Sequence, residues 1–160
     1  MWLEVDGQNR FDFGGSDFTL SAQADRVELR SDGSLSIVDF KTGAPPTNEQ
    51  INAGLEQQMP LQAVIAESGG FSGVPAKDVG ALEYVAFKAA YKASPVKVKN
   101  KSVSDLAVDA KAGLQVLLDG YAREEQPYLS VPRIQFISRY SSDYDRLARR
   151  AEWAGEVSDE

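Results

Sequence analysis

The first 41 residues constrain the fold more than any other part of the chain, because their apolar side chains recur with the two-residue period of β-strands. From Phe18 to Ala24 every second residue is apolar, and at Val27 the pattern changes to the opposite parity. Such a change predicts a bend or bulge near residues 25–26, a device common beside active sites. The sequence Ser31-Asp32-Gly33 is typical of a hairpin turn, so Leu35–Lys41 is predicted to be the next strand.

Helical signals begin after this strand. Thr47 and Gln50 match a capping box, which predicts a helix to about Glu67 that is kinked or weakened at Pro60. The other predicted elements are a strand over 81–87, a lysine-rich loop, a helix capped by Ser102 or Ser104 that runs to about Arg123, an extended segment over 128–138 and a short helix over 144–153. This order predicts a single α/β domain of the mixed α+β kind over residues 1–160, with a central mixed sheet flanked by helices and a C-terminal tail from about residue 139.

The composition narrows the chemistry. The chain has no cysteine and no histidine, which excludes disulfides and cysteine-held clusters and removes the commonest general base and zinc ligand. Catalysis must therefore use carboxylates, lysine, hydroxyl groups or a hard metal ion. No apolar run has the length of a membrane span, and the N-terminal residues lack the pattern of a signal peptide. We therefore expect a cytoplasmic protein without a membrane partner.

The charge is unevenly distributed. The net charge of −7 argues against non-specific binding to nucleic acid. However, no acidic residue lies between Glu83 and Asp105, and this stretch carries five lysines: Lys88, Lys92, Lys97, Lys99 and Lys101. These lysines are candidates to contact DNA phosphates or a partner subunit, and the alternative is an ordinary solvated loop.

Asp25, Asp39 and Lys41 are the candidate site. Side chains two apart in a strand face the same way, so Asp39 and Lys41 share one face of the predicted strand. If residues 31–33 form a three-residue loop, Asp25 lies opposite Asp39. Directly opposed residues on paired strands have Cβ atoms about 5 Å apart. Two carboxylates at this distance repel each other unless a cation lies between them, and oxygen ligands of this kind suit Mg²⁺. The backbone carbonyl of Phe40 is a further candidate ligand, and Lys41 could orient the attacking water and offset charge in the transition state.

Three sequence segments together resemble a known family. The segments Asp25-Arg26-Val27-Glu28, Ile37-Val38-Asp39-Phe40-Lys41-Thr42-Gly43 and Gln58-Met59-Pro60-Leu61 look like the RecB-type branch of the PD-(D/E)XK nucleases, and residues 144–153 are similar to the C-terminal end of the AddB proteins. The resemblance implies a restriction-endonuclease-like core and a Mg²⁺-dependent deoxyribonuclease, with Mn²⁺ as a possible substitute. It also implies an exonuclease domain that cuts one DNA strand, beside a helicase subunit resembling AddA, in double-strand break repair and recombination.

The resemblance also implies roles for single residues. Asp25 and Asp39 would be metal ligands, Lys41 the catalytic lysine, and Gln58 the glutamine that contacts the site from the following helix. Gln58 and Gln62 are predicted to share the helix face of Ile51 and Leu55, and the alternative is two solvent-exposed amides.

The sequence departs from the family pattern in three ways. Gln62 stands where the family has a tyrosine, no cysteine can hold the iron–sulfur cluster of many AddB relatives, and no earlier helix supplies a further ligand. We therefore expect a fragment of a larger helicase–nuclease subunit that folds, exposes an apolar patch and cuts poorly alone. Two alternatives are a non-cutting module of the same fold that acts as a scaffold or DNA guide, and an acidic α+β interaction domain.

Overall fold

A computed structural model of the chain describes residues 1–13, 16–87, 91–97 and 101–127. The chain has two compact units, residues 1–123 and 124–160, and every element described below belongs to the first. The extended segment predicted over 128–138, the helix predicted over 144–153 and the tail from about 139 lie outside the described residues. None of the described helices is long and apolar enough to cross a membrane.

Five strands form one mixed sheet in the order β1-β2-β3-β4-β5. Their bounds are β1 Trp2–Phe13, β2 Ser16–Leu29, β3 Leu35–Lys41, β4 Val79–Phe87 and β5 Tyr91–Pro95. The β3–β4 pair is parallel and the other three pairs are antiparallel. Together with its helices, the sheet confirms the predicted α+β class. β5 is a correction, because Lys92 lies in a strand where a loop was expected.

The β2–β3 hairpin follows the predicted turn. Arg30 N–H donates to the Ser34 carbonyl at 2.9 Å, and Gly33 has a φ of +85°, a left-handed conformation that glycine adopts without steric cost. The Asp32 carboxylate accepts from Ser34 N–H at 3.0 Å, which closes the turn. The three-residue loop sets the register, and Arg26 lies opposite Val38 as the turn count requires.

The helical region after β3 differs from the prediction. Thr47 and Gln50 form the predicted capping box, but helix α1 spans only Asn48–Asn52, and a separate helix α2 spans Gln58–Glu67. The continuous kinked helix was therefore wrong. The break comes at Gly54, whose φ is +68°, whereas Pro60 lies in the first turn of α2, where its missing N–H costs no helical hydrogen bond.

The helices cover one face of the sheet. Helix α3, Val103–Tyr121, begins at Ser102 with a capping box to Asp105, as one of the two predicted caps. The core between helices and sheet consists mainly of buried aliphatic residues, including Leu35, Ile37, Ile51, Met59, Ala63, Ile65 and Leu82. Leu35 and Ile37 therefore face the helices, and alternation along β3 aims Asp39 and Lys41 to the same side.

Candidate active site

The candidate site lies at the C-terminal end of β3, where the core face of the strand becomes charged. Asp39 is only 3% exposed, although it is ionisable, and a buried carboxylate is costly without partners. Its two oxygens have different surroundings. Gln58 Nε2 donates to Asp39 Oδ1 at 2.7 Å, and Lys41 Nζ lies 2.9 Å from Asp39 Oδ2.

Gln58 joins the acid to the lysine. Its Oε1 accepts from Lys41 Nζ at 2.9 Å while its Nε2 donates to Asp39, so the three side chains form a closed ring of contacts. The ring brings together the first turn of α2 and the end of β3. The break between α1 and α2 makes this possible, because it lets α2 begin at Gln58 with its own direction.

Asp25 reaches the same strand end from β2. The pairing of β2 with β3 ends at Arg26 and Val38, one residue short of Asp25 and Asp39. Asp25 Oδ2 accepts from the Phe40 backbone N–H at 2.7 Å, which fixes this carboxylate beside β3. The structure thus brings together four predicted site residues at the C-terminal end of β3: Asp25, Asp39, Lys41 and Gln58. Their roles in catalysis remain a proposal.

Strand β1 is irregular beside this site. Glu4 has a φ of +46° and lies between Leu3, which pairs with Arg26, and Val5, which pairs with Ala24. The change of parity predicted in β2 is present, since Ala24 and Val27 are both fully buried. A left-handed non-glycine residue costs about 1–3 kcal/mol, and such strain clusters at functional sites.

The electrostatics of Asp39 reflect its burial. Burial raises the pKa of Asp39, the Lys41 ammonium and the Gln58 amide lower it, and the negative charge of Asp25 raises it further. Within the described part of the chain, Asp39 Oδ2 has no hydrogen-bond partner, because the Lys41 contact is an ion pair without hydrogen-bond geometry. The ammonium of Lys41 is the charge that faces this buried oxygen, at 2.9 Å.

The donor set fits a hard divalent cation. Two aspartates supply oxygen ligands, and Mg²⁺ is commonly held by one or two carboxylates with water and substrate oxygens completing its shell. Within the described ranges, no three His, Cys, Asp or Glu side chains form a group that could hold a metal. Water, the Phe40 carbonyl and phosphate oxygens would have to supply the other ligands.

Tyr84 and Glu56 were missed by the sequence reasoning. Tyr84 is the parallel partner of Asp39 on β4, and its ring centroid lies 5.7 Å from Lys41 Nζ. Burial, followed by the charges of Glu56 and Asp39, raises the pKa of Tyr84, so its hydroxyl stays protonated. That hydroxyl is buried and has no hydrogen-bond partner among the described residues. Glu56 lies in the helix break, where Oε1 accepts from Gln58 N–H at 3.2 Å.

The two glutamines of α2 do not have the predicted surroundings. Gln58 and Gln62 share one face of α2, but Leu55 is exposed in the helix break and belongs to no helix. Gln62 is only 2% exposed, and its Nε2 donates to the Gln23 carbonyl at 3.0 Å, so it is not a solvated amide. It therefore ties α2 to β2 two residues before Asp25.

The lysine-rich segment is only partly described. Lys88 and Lys99 lie outside the described residues, as does the side chain of Lys92, while Lys97 is exposed. Lys101 forms an ion pair with Asp109 on α3, so the expectation of five unopposed charges was wrong for this lysine. The acid that opposes it lies beyond Asp105, outside the acid-free stretch.

Comparisons with known proteins give a family for the chain. A family model described as the PD-(D/E)XK nuclease superfamily matches residues 1–155. Uncharacterised proteins of Rickettsia felis and Rickettsia conorii are each 31% identical over 72 residues, covering 45% of this chain. The chain spans 8% and 9% of the length of these two curated relatives. The crystal structure of SSO0001 is 10% identical with a TM-score of 0.42, covering 86% of this chain and 62% of that one.

Proposed function

This chain belongs to the PD-(D/E)XK nuclease superfamily, and we propose that it hydrolyses DNA phosphodiester bonds with a divalent metal ion held by Asp25 and Asp39. The observation that carries this proposal is the closed ring of Asp39, Lys41 and Gln58. A surface salt bridge needs neither a buried acid nor an amide from another element bound to its second oxygen. A site that must hold an acid and a lysine in fixed relative positions needs both.

In the proposed reaction, a water oxygen forms a bond to phosphorus while the phosphorus–oxygen bond to the leaving sugar breaks. The proton of the water is lost to solvent, and the leaving oxygen regains one. When bound, Mg²⁺ or Mn²⁺ would supply Lewis acidity toward the phosphodiester and the water. Lys41 orients the water and offsets negative charge that develops on the phosphoryl oxygens.

Gln58 and Asp25 have supporting roles in this proposal. Gln58 holds the Asp39 carboxylate and the Lys41 ammonium in fixed relative positions, because it forms a hydrogen bond with each member of their ion pair. The Phe40 backbone N–H orients the Asp25 carboxylate. The Phe40 backbone carbonyl is a further candidate oxygen ligand. Groups that are held in place before the substrate arrives need little reorganisation during the reaction.

We place the chain within the RecB-like branch of the superfamily, as an exonuclease domain similar to that of AddB proteins. The branch rests on the sequence segments around Asp25, Asp39 and Gln58, and the similarity to AddB proteins rests on residues 144–153. It implies a larger helicase–nuclease that works with an AddA-like helicase subunit at double-strand breaks. The alternative is a module of the same fold that guides DNA without cutting it. It is favoured because no three His, Cys, Asp or Glu side chains among the described residues form a group that could hold a metal.

The test is single-turnover cleavage of labelled DNA with excess protein and Mg²⁺ or Mn²⁺. Asp39→Asn and Lys41→Ala should each lower the rate by about 100-fold or more, because each removes a charged group that acts on the transition state. The matched controls are Asp78→Asn and Lys77→Ala, an adjacent exposed acid and lysine, which should cleave at the wild-type rate.

The outcomes separate the alternatives. Wild-type cleavage by Lys41→Ala would remove this lysine from the mechanism. If a longer protein that contains this chain binds Mn²⁺ in a manner that depends on Asp39 but does not cut, the non-cutting module is correct. If metal binding is absent or independent of Asp39, the acidic interaction domain is the correct reading.

A further inference from the structure

Three side chains form a row on the face of the sheet opposite the helices. Arg26 on β2 lies over the ring of Phe40 on β3, with 5.5 Å from its guanidinium carbon to the ring centroid. Phe40 lies next to Phe87 on β4, with ring centroids 5.5 Å apart and planes inclined by 41°. The row therefore crosses three adjacent strands near the C-terminal end of β3, and its members Arg26 and Phe40 are next in the chain to Asp25 and Lys41.

The aromatic part of this row is open to solvent. Phe87 is 54% exposed and Phe40 is 37% exposed, while their neighbours Val38 and Val85 are buried. Contiguous exposed apolar surface is a feature of binding sites, and these two rings are adjacent to each other. Phe40 lies between Asp39 and Lys41 in the chain, so the row and the candidate site share the C-terminal end of β3 on opposite faces of the strand.

The chemistry of the row fits nucleobases. Aromatic ring faces and guanidinium planes stack on bases, and such stacking tolerates any sequence because every base has a π-face. Bases in a duplex are already stacked on each other, so an unpaired strand has more surface to offer. Stacking also suits an acidic chain, whose net charge of −7 weakens attraction to the phosphate backbone.

We propose that Arg26, Phe40 and Phe87 form a stacking platform for unpaired bases at the same end of β3 as the candidate site, so that the chain selects single-stranded over duplex DNA. This inference rests on the proposed nuclease function. Phe87 presents the most exposed ring, Phe40 supports it from the side, and Arg26 closes the other end of the row over Phe40.

The test measures binding of a fluorescent oligothymidylate by anisotropy, with Ca²⁺ in place of Mg²⁺. Phe87→Ala should weaken binding by about 5- to 100-fold, the range expected for loss of one base–aromatic contact. Phe87→Leu should weaken it similarly because leucine keeps the apolar bulk but has no ring face, whereas Phe87→Tyr should bind like wild type. Leu117→Ala is the matched control, since Leu117 on α3 is equally exposed at 54%, and it should bind like wild type.

Two results would overturn the platform. Wild-type affinity of Phe87→Ala would show that the ring contacts no base. Wild-type affinity of Phe87→Leu would show that the face is an apolar docking surface for another protein segment.

A reporter substrate keeps the platform separate from the catalytic proposal. Methyl p-nitrophenyl phosphate is a phosphodiester without a nucleobase, so its hydrolysis should be unchanged in Phe87→Ala and lost in Asp39→Asn. Hydrolysis that survives Asp39→Asn would refute the catalytic site, whereas loss of this hydrolysis in Phe87→Ala would place Phe87 in the site itself and refute the platform.

Discussion

Gln58 provides the sharpest test of how the site is held together. We consider Gln58→Met, because methionine keeps the length of the side chain and has a similar helix propensity, but makes neither hydrogen bond. The variant loses the 2.7 Å bond to Asp39 Oδ1 and the 2.9 Å bond to Lys41 Nζ. Asp39 and Lys41 remain in contact as an ion pair, but no group fixes its geometry.

The size of the effect follows from these two contacts. Hydrogen bonds to charged groups contribute about 1.5–3 kcal/mol each in protected sites. Gln58 is an exposed residue, however, so water can replace much of what is lost, and we expect the free energy of unfolding to fall by about 1 kcal/mol or less. Loss of a group that orients catalytic residues typically lowers activity by about 10- to 100-fold. This corresponds to about 1.4–2.7 kcal/mol of transition-state stabilisation.

The assay is the single-turnover cleavage described above, combined with a thermal melt. The matched control is Gln57→Met, which changes the neighbouring glutamine, whose side chain makes no capping hydrogen bond. It should cleave within about two-fold of wild type, a difference of only about 0.4 kcal/mol.

A double variant examines the route of the effect. If Gln58 acts through Lys41, adding Gln58→Met to Lys41→Ala should cause little further loss, because the two changes are coupled. The reasoning would be refuted if Gln58→Met cleaved at the wild-type rate, or if the two losses multiplied as independent effects.

Three further predictions concern other parts of the site. Because burial raises the pKa of Asp39, its ionised form destabilises the fold, so stability should fall as pH rises above the ordinary value of 3.8; in thermal melts Asp39→Asn should lack this decline, and an unchanged pH profile would contradict it. Tyr84→Phe should cleave at the wild-type rate, because it keeps the ring beside Lys41. Tyr84→Leu, which loses this ring, should cleave about 2- to 5-fold more slowly, and equal losses of rate in both variants would instead implicate the hydroxyl. Neutralising Lys88, Lys97 and Lys99 should weaken DNA binding and make its salt dependence shallower, more than Lys101→Ala, whose charge Asp109 already opposes; unchanged salt dependence would identify a solvated loop.

Local sequence patterns determined much of this protein. The strand period and the turn at residues 31–33 predicted the β2–β3 hairpin and its register, because side-chain alternation and loop length both act over a few residues. The capping box at Thr47 located the start of α1 for the same reason, and the start of α3 was predicted at Ser102 or Ser104, of which Ser102 is the cap. Asp25, Asp39 and Lys41 could therefore be brought to one strand end by counting alone.

The tertiary structure decided the rest. The break at Gly54 was hidden because capping and apolar residues on both sides also suit a continuous helix, and only packing against the sheet decides where the chain must turn. Tyr84 is far from Asp39 in sequence, and nothing local predicts that β4 would pair with β3 in parallel at the register that places them side by side. The Lys101–Asp109 pair and the row of Arg26, Phe40 and Phe87 likewise depend on contacts between separate elements. A local pattern can predict which face of a strand a residue occupies, but its neighbours on other strands depend on how the whole sheet assembles.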